Sequence, residues 1–258
     1  MGKNFATMVN NAAVEFVSSL RTTDPEVKVI NGCLVLKKDT TFIHGNLILE
    51  KDTTFKQSIV VEGDIVGKAS RRYNLAVNGY INVVGNIYVG NISTGNTGNF
   101  GISAKGNITA LNIYANGNVS AKNIKVYNII SGSICVQNID AENIESWNIY
   151  AKGCINAKGH IIAWDIEAQN ISANENITSG NINVKKDIFA KDIHVREIHA
   201  DGNISTQNID AKADIIAKED IEADFILCES LIQPEGKKLV CKNLIEKRST
   251  YKWKEVKR

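Results

Sequence analysis

The chain has 258 residues, of which 43% are hydrophobic, 22% charged and 7% aromatic, and it carries a net charge of +2. This composition excludes an intrinsically disordered chain, and the sequence has no run of 18 apolar residues that would predict a membrane-spanning helix. The start of the chain shows no secretion signal, and the five cysteines match no zinc pattern, so we expect a cytoplasmic protein with reduced thiols and no metal. Only two prolines occur, and Ile and Asn are in excess, which indicates a repeat.

Residues 1–28 are predicted to form a short helical cap that ends at Asp24-Pro25. Apolar residues recur there at spacings of three and four, the pattern of one helical face: Phe5, Met8, Val9, Ala12, Ala13, Phe16, Val17 and Leu20. A membrane-surface anchor is the alternative, but its polar face would have almost no positive charge. We therefore expect the helix to cover the first coil of the domain that follows.

An irregular repeat precedes the regular one. The string Leu34–Phe42 returns thirteen residues later as Leu47–Phe55. Residues 67–73 and 94–100 interrupt the rhythm with basic residues and glycines, and both are predicted to be loops.

A regular repeat extends from Ile108 to Ile226. An aliphatic residue recurs at 23 positions, with gaps of five or six residues, and all but Val119 are Ile. Asn or Asp precedes 18 of the 23, and a small residue, most often Ala, lies two places after each. The unit is (Asn/Asp)-Ile-x-Ala followed by one or two residues.

This unit predicts a very short strand followed by a corner. Residues two apart point to the same side of a strand, so Ile and the small residue both point inward. A helix would spread positions five apart around its whole surface, and strands of three residues are too short for hairpins. The sequence therefore predicts an all-β, single-stranded parallel β-helix over residues 29–230, with a packed inward row that holds no chemistry.

Three faces per coil are preferred over four, because three units give coils of about 16 residues. Asn and Asp suit the corners because they tolerate left-handed backbone and bond their own backbone locally. Ladders in which each Asn side chain bonds the next coil are a further expected role.

Residues 231–258 are predicted to be a C-terminal cap followed by a basic tail. Residues 237–258 contain nine basic and two acidic residues, so the preceding 236 residues carry a net charge of −5. The residues suggested for assembly contacts are Leu231, Ile232, Leu239, Leu244 and Ile245. Those suggested for contact with an anionic membrane surface or a nucleic acid are Lys247, Arg248, Lys252, Trp253, Lys254, Lys257 and Arg258. A solubilising cap is the simpler alternative.

An acyltransferase with a related solenoid is the enzymatic alternative. Such enzymes place a His on an outer edge, and this chain has His44, His160, His194 and His199. His194 and His199 are expected on different faces of one coil, so they cannot share a metal. The sequence thus predicts no catalytic residue, cofactor or small-molecule substrate.

The segments Val61–Ile65 and Gly106–Ala110, with Gly-(Asn/Asp)-Ile-x-small recurring at 180–184 and 202–206, resemble the core of bactofilins. The resemblance covers about residues 29–230. It implies a right-handed triangular β-helix and a polymer-forming cytoskeletal role. We therefore expect a non-enzymatic structural rod that self-associates into a homo-oligomer or filament, with a capped platform for a protein partner as the alternative.

Overall fold

The computed structural model describes residues 27–30, 34–37, 40–95 and 100–247. The chain divides into two compact units, Met1–Gly132 and Ser133–Arg258. Both are parallel β-solenoids, so the predicted all-β fold is confirmed. The predicted N-terminal helix falls mostly on residues 1–26, which lie outside the described residues, while Val27 and Lys28 belong to a strand.

The first unit is a three-sided coil whose strands stack in three parallel ladders. The first ladder contains β3 (Thr40–Ile43), β6 (Ser58–Val61), β9 (Ile81–Val83), β12 (Ile102–Ala104) and β15 (Val119–Ser120). The second contains β4 (Asn46–Leu49), β7 (Ile65–Gly67), β10 (Ile87–Tyr88), β13 (Ile108–Thr109) and β16 (Asn123–Lys125). The third contains β5 (Thr53–Phe55), β8 (Leu75–Val77), β11 (Ile92–Thr94), β14 (Asn112–Tyr114) and β17 (Asn128–Val136), of which residues up to Gly132 belong to this unit.

Antiparallel strands precede the first parallel coil. β1 (Val27–Ile30) pairs antiparallel with β4, and β2 (Leu34–Lys37) pairs antiparallel with β3. The predicted loop at residues 67–73 contains a single turn of 3-10 helix, Lys68–Ser70, in which Ala69 has a positive φ of 52°.

The second unit repeats the three-sided coil with greater regularity. Its first ladder contains β18 (Asn138–Ala141), β20 (Cys154–Ala157), β23 (Asn170–Ala173), β25 (Ile188–Phe189), β27 (Ile204–Ser205) and the starts of β30 (Ile221–Cys228) and β32 (Leu239–Glu246). The second contains the starts of β19 (Asn143–Ala151), β24 (Ile177–Val184) and β26 (Asp192–Ala200), together with β21 (Ile161–Ile162), β28 (Asn208–Ala211) and the ends of β30 and β32. The third contains the ends of β19, β24 and β26, together with β22 (Asp165–Ala168), β29 (Ile215–Ala217) and β31 (Leu231–Ile232).

The register of the second unit confirms three faces per coil. Ile139 pairs with Ile155, 16 residues later, and Ile144 pairs with Ile161, 17 residues later. Three Ile-containing units therefore make one coil. The parallel ladders continue to Glu246, beyond the boundary at residue 230 that the sequence had suggested.

The inward rows form the core of each unit. All 23 aliphatic positions of the regular repeat are at most 2% exposed, as the alternation of a strand requires. The small residues that follow them are buried too, except Ala190 and Thr206, which are half-buried. Where the small residue is Ser or Thr, its hydroxyl can donate to a nearby carbonyl oxygen, as Ser146 does to that of Asn148 at 3.1 Å.

The corners are held by polar side chains that bond the neighbouring coil. The amide of Asn128 donates to Oδ1 of Asn112 at 2.9 Å, and the amide of Asn112 donates to that of Asn91 at 2.7 Å. The predicted Asn ladders are therefore confirmed. The left-handed backbone suggested for these corners is wrong: among the described residues other than glycine, only Ala69 has a positive φ.

Candidate functional site

The last coil of the second unit ends at β31 and β32. Within the described part of the chain, each has a ladder partner on one side only, β29 and β30 respectively. The main-chain hydrogen-bonding groups along the other side of β32 are thus directed away from the solenoid, as at the edge of any sheet. We call β31 and β32 the C-terminal edge.

Among the described residues, no further strand covers the core at the C-terminal edge. Leu231, Leu239, Cys241 and Leu244 continue the inward rows, yet all four are only half-buried. On the coil beneath them, the aligned Ile215, Ile221, Ala223 and Ile226 are 0–4% exposed. Each inward side chain of the last coil therefore lacks the neighbour that buries its counterpart one coil earlier.

The first unit begins differently. The inward residues of its first parallel coil include Thr41, Leu47 and Thr53, which are 1%, 0% and 3% exposed. Two of its three faces carry an antiparallel strand, β2 on β3 and β1 on β4. Antiparallel strands thus cover two faces of this N-terminal edge, whereas no strand of the described residues covers the C-terminal edge.

The structure places all five suggested assembly residues on the C-terminal edge. Leu231, Leu239 and Leu244 lie in the inward rows, while Ile232 and Ile245 point outward with 44% and 50% exposure. Val240, which the sequence did not single out, is the third outward apolar residue, at 39% exposure. The two-residue alternation within Leu239–Glu246 was the signal that could have identified it.

Polar contacts organise the rest of this edge. The carboxylate of Glu246 accepts the backbone N–H of Leu231 at 3.0 Å. Lys242 forms an ion pair with Asp224 at 2.9 Å, and Lys237 forms one with Glu219. The hydrogen bond to Glu219 raises the pKa of Lys237 above its usual value. Part of the positive charge at the start of the basic segment is therefore matched by acidic groups on the preceding coil.

The residues suggested for contact with an anionic surface lie almost wholly outside the described part of the chain. Lys247 is exposed, and its backbone N–H donates to the carbonyl oxygen of Cys228 at 3.1 Å. Arg248, Lys252, Trp253, Lys254, Lys257 and Arg258 are outside the described residues.

The histidines lie apart, as the spacing predicted for two of them. His194 aligns with Thr178 on the second face, and His199 aligns with Asn183 on the third. Among residues 40–95 and 100–247, no group of three or more His, Cys, Asp or Glu side chains is arranged to hold a metal ion. An open groove in the second unit is lined by Tyr150, Lys152, Glu167, Gln169 and Lys185, among others.

An exposed aromatic pair was missed by the sequence analysis. Trp147 and Trp164 are 67% and 71% exposed, and their rings stack with centroids 5.9 Å apart and an angle of 12° between planes. Both directly precede a corner residue of the third face, Asn148 and Asp165, which are aligned one coil apart. Their separation by one coil length was the sequence signal for this contact.

Comparisons of the chain with protein-family models, with curated proteins and with solved structures give no match. In the described part of the chain, no helix has the length and apolar character needed to cross a membrane. The parallel β-solenoid fold is compatible with a structural or scaffold role.

Proposed function

We propose that this chain is a non-enzymatic structural scaffold, of the bactofilin-like kind suggested by its repeat, that pairs with a second copy through the C-terminal edge. The observation that carries the proposal is the contrast between the two edges. Thr41, Leu47 and Thr53 are buried on the first coil, whereas Leu231, Leu239 and Leu244 are only half-buried on the last. A cytoplasmic location, expected from the cysteine usage, belongs to the same proposal.

An open strand edge favours pairing with another strand, because it offers a row of unpaired donors and acceptors beside apolar side chains. β32 offers eight residues of such edge. A second copy of the chain is a suitable partner for this edge, because a two-fold axis places the C-terminal edges of both copies against each other. The resulting assembly is closed at two chains. Pairing also buries the inward leucines, which are the residues that gain most from a covering coil.

The bend in β32 specifies how two copies pair. Leu239–Cys241 lies on the first face and Leu244–Glu246 on the second, with exposed Lys242 and Asn243 at the corner between them. A two-fold axis through this corner, perpendicular to the coil axis, exchanges the two faces and reverses the strand direction. In that register Val240 lies opposite Ile245 of the second copy, so two apolar pairs flank the axis.

Two double variants test this register. In Val240→Lys/Ile245→Lys, the introduced positive charges face each other across the axis, and we expect monomers at protein concentrations of tens of micromolar. In Val240→Lys/Ile245→Glu, opposite charges face each other, and we expect pairing to return. Sedimentation velocity of the full chain at low and high salt measures both, since charge repulsion weakens as salt rises.

Ile130→Lys provides the matched control, because Ile130 is an outward isoleucine of 43% exposure in the first unit. It should leave the pairing of the full chain unchanged. A full chain that is monomeric without substitution contradicts the scaffold proposal. Pairing that survives both double variants contradicts only the register.

A capped solenoid that serves as a platform for another protein is the second candidate. Glu246 favours it, because this carboxylate sits in an inward row and occupies the N–H of Leu231, which a further strand would otherwise use. A monomer by sedimentation would support this candidate. Glu246→Gln should keep the contact to Leu231 and therefore should not by itself induce pairing.

A further inference from the structure

One corner of the second unit carries an unusual column of side chains. Asn148, Asp165, Asn181 and Glu197 align in register on four successive coils of the third face. The residues directly before them are Trp147, Trp164, Gly180 and Arg196. These four residues therefore lie one above another at the same corner.

The two indole rings form a flat, solvent-exposed platform. They lie nearly parallel and offset, and more than two thirds of each side chain is exposed. The backbone N–H of Trp164 donates to the carbonyl oxygen of Trp147 at 2.6 Å, which fixes the two residues in register. The rigid coil holds the platform, so little conformational entropy is lost when a ligand stacks on it.

Gly180 contributes no side chain to the column directly beyond the platform. A Cβ atom at this position would lie 2.4 Å from the carbonyl oxygen of Trp164, so this backbone excludes any side chain here. Trp164 and Arg196 are two coils apart, about 9.6 Å at the usual strand spacing. The Arg196 guanidinium reaches back to Asn181 on the intervening coil, so a ring stacked on the exposed face of Trp164 would have this guanidinium beside it.

Polar groups border the platform beside Gly180. The guanidinium of Arg196 donates to Oδ1 of Asn181, and the amide of Asn181 donates to Oδ1 of Asp165 at 2.6 Å. The Arg196 side chain remains 59% exposed and lies 3.9 Å from the carboxylate of Glu197. The apolar platform is therefore bordered by fixed donors and acceptors.

We propose that this corner binds a neutral carbohydrate, with one pyranose ring stacked on the exposed face of Trp164 beside Gly180. A pyranose has an apolar C–H face that suits an indole and a rim of hydroxyl groups that suits Arg196 and Asp165. The carboxylates of Asp165 and Glu197 disfavour a polyanion such as a nucleic acid, while Arg196 disfavours a cation. A neutral ring rich in hydroxyl groups satisfies both restrictions.

Native electrophoresis through gels that contain one soluble polysaccharide tests the proposal on the full chain. The neutral probes are starch, hydroxyethylcellulose, xylan, laminarin and glycol chitin, with dextran sulfate and oligothymidylate as polyanions. We expect retardation by at least one neutral probe. Trp164→Ala should weaken it about tenfold through loss of stacking, and Arg196→Leu about fivefold through loss of a donor.

Tyr127→Ala is the matched control, because Tyr127 is an exposed aromatic residue of the first unit, at 58% exposure. It should leave retardation unchanged. The highly exposed position of Trp164 allows its replacement without loss of the fold, which far-ultraviolet circular dichroism would verify. The proposal would be overturned if no neutral probe retards the chain, or if only the polyanions do. It would also be overturned if a neutral probe retards Trp164→Ala as strongly as the unsubstituted chain. None of these outcomes depends on whether the C-terminal edge pairs.

Discussion

The side-chain oxygen Oδ1 of Asn138 accepts the backbone N–H of Cys154, sixteen residues later, at 2.9 Å. Gly153 lies directly against the same Asn138 oxygen, and a Cβ atom on Gly153 would be 2.3 Å from it. The same arrangement recurs at Gly106, where Asn86 accepts the N–H of Asn107 at 2.8 Å. At these two corners the Asx oxygen of the preceding coil occupies the place that a side chain before the corner residue would need.

The first prediction concerns this corner. Gly153→Ala should lower the free energy of unfolding by about 1–3 kcal/mol, because the added methyl displaces the Asn138 oxygen from its hydrogen bond. Lys152→Ala, at the neighbouring exposed position, should change it by less than about 0.5 kcal/mol. Urea unfolding of the two variants provides the comparison. Equal stability would show that the close contact has no energetic role.

The second prediction concerns the inward register of β19. Ile149 is fully buried and Tyr150 is 45% exposed. Ile149→Asp should destabilise the protein by several kcal/mol, roughly 4 or more, because it buries a carboxylate without a partner. Tyr150→Asp should cost less than about 1 kcal/mol. In hydrogen-exchange measurements, Ile149→Asp should lower the protection of backbone amides mainly in the neighbouring coils, since each coil contacts only its neighbours. Equal tolerance at both positions would be incompatible with this strand.

The third prediction concerns the covered N-terminal edge. Removal of residues 1–39 deletes β1 and β2 and opens the outer sides of β3 and β4, so we expect assemblies longer than a pair in negative-stain images. Removal of residues 1–26 leaves both strands in place and serves as the control. If the shorter deletion already produces filaments, the segment predicted as a helix is the essential cover, and the antiparallel strands are not sufficient.

The fourth prediction concerns the basic segment. If Lys247 and the basic residues after it bind anionic vesicles or duplex DNA, binding should weaken strongly between about 50 and 200 mM salt, because it is mainly Coulombic. A chain truncated after Glu246 should lose this binding while still pairing through its C-terminal edge. Salt-independent binding, or its retention after truncation, would argue against a role for this segment.

The fifth prediction concerns Cys228. Burial raises the pKa of its thiol to about 12. The folded protein therefore keeps this thiol protonated at alkaline pH values at which the same thiol ionises in the unfolded chain. Between the ordinary thiol pKa, near 8.5, and about 12, the unfolded state therefore binds fewer protons, and stability falls as pH rises. Cys228→Ala should reduce this alkaline slope. Brief iodoacetamide labelling at pH 8 should modify exposed Cys135 well before Cys228; the reverse order would refute the buried position.

The periodicity of the sequence was sufficient to predict the strands, the inward rows and three faces per coil. Ile139, Ile155 and Ile171 show why, because one residue type at a nearly constant spacing is buried on successive coils. The antiparallel pairing of β1 and β2 was not predicted. Their residues share the alternation of the parallel strands, and strand direction depends on contacts with β3 and β4 that a local pattern does not encode.

The location of the residues suggested for assembly could be predicted only in part. Leu239, Leu244 and Ile245 stood out as apolar residues in a basic segment, but their alignment with β30 depends on the turn at Pro234–Gly236, where Gly236 has a φ of 86°. The tryptophan pair escaped prediction for a different reason. Trp147 and Trp164 sit outside the Ile–x–small unit, so the repeat itself gives no information about their exposure.

The Ile–x–small unit is the same on every face of the second unit, so the buried rows do not distinguish one face from another. A deletion of sixteen residues, the separation of Ile177 from Ile193, would remove one whole coil and restore every ladder. A deletion of a single five-residue unit would also keep Ile inward, but it would turn all later outward residues by one face. The faces of this protein therefore differ only in their outward side chains. A change in the number of units rearranges these outward side chains without altering the buried rows.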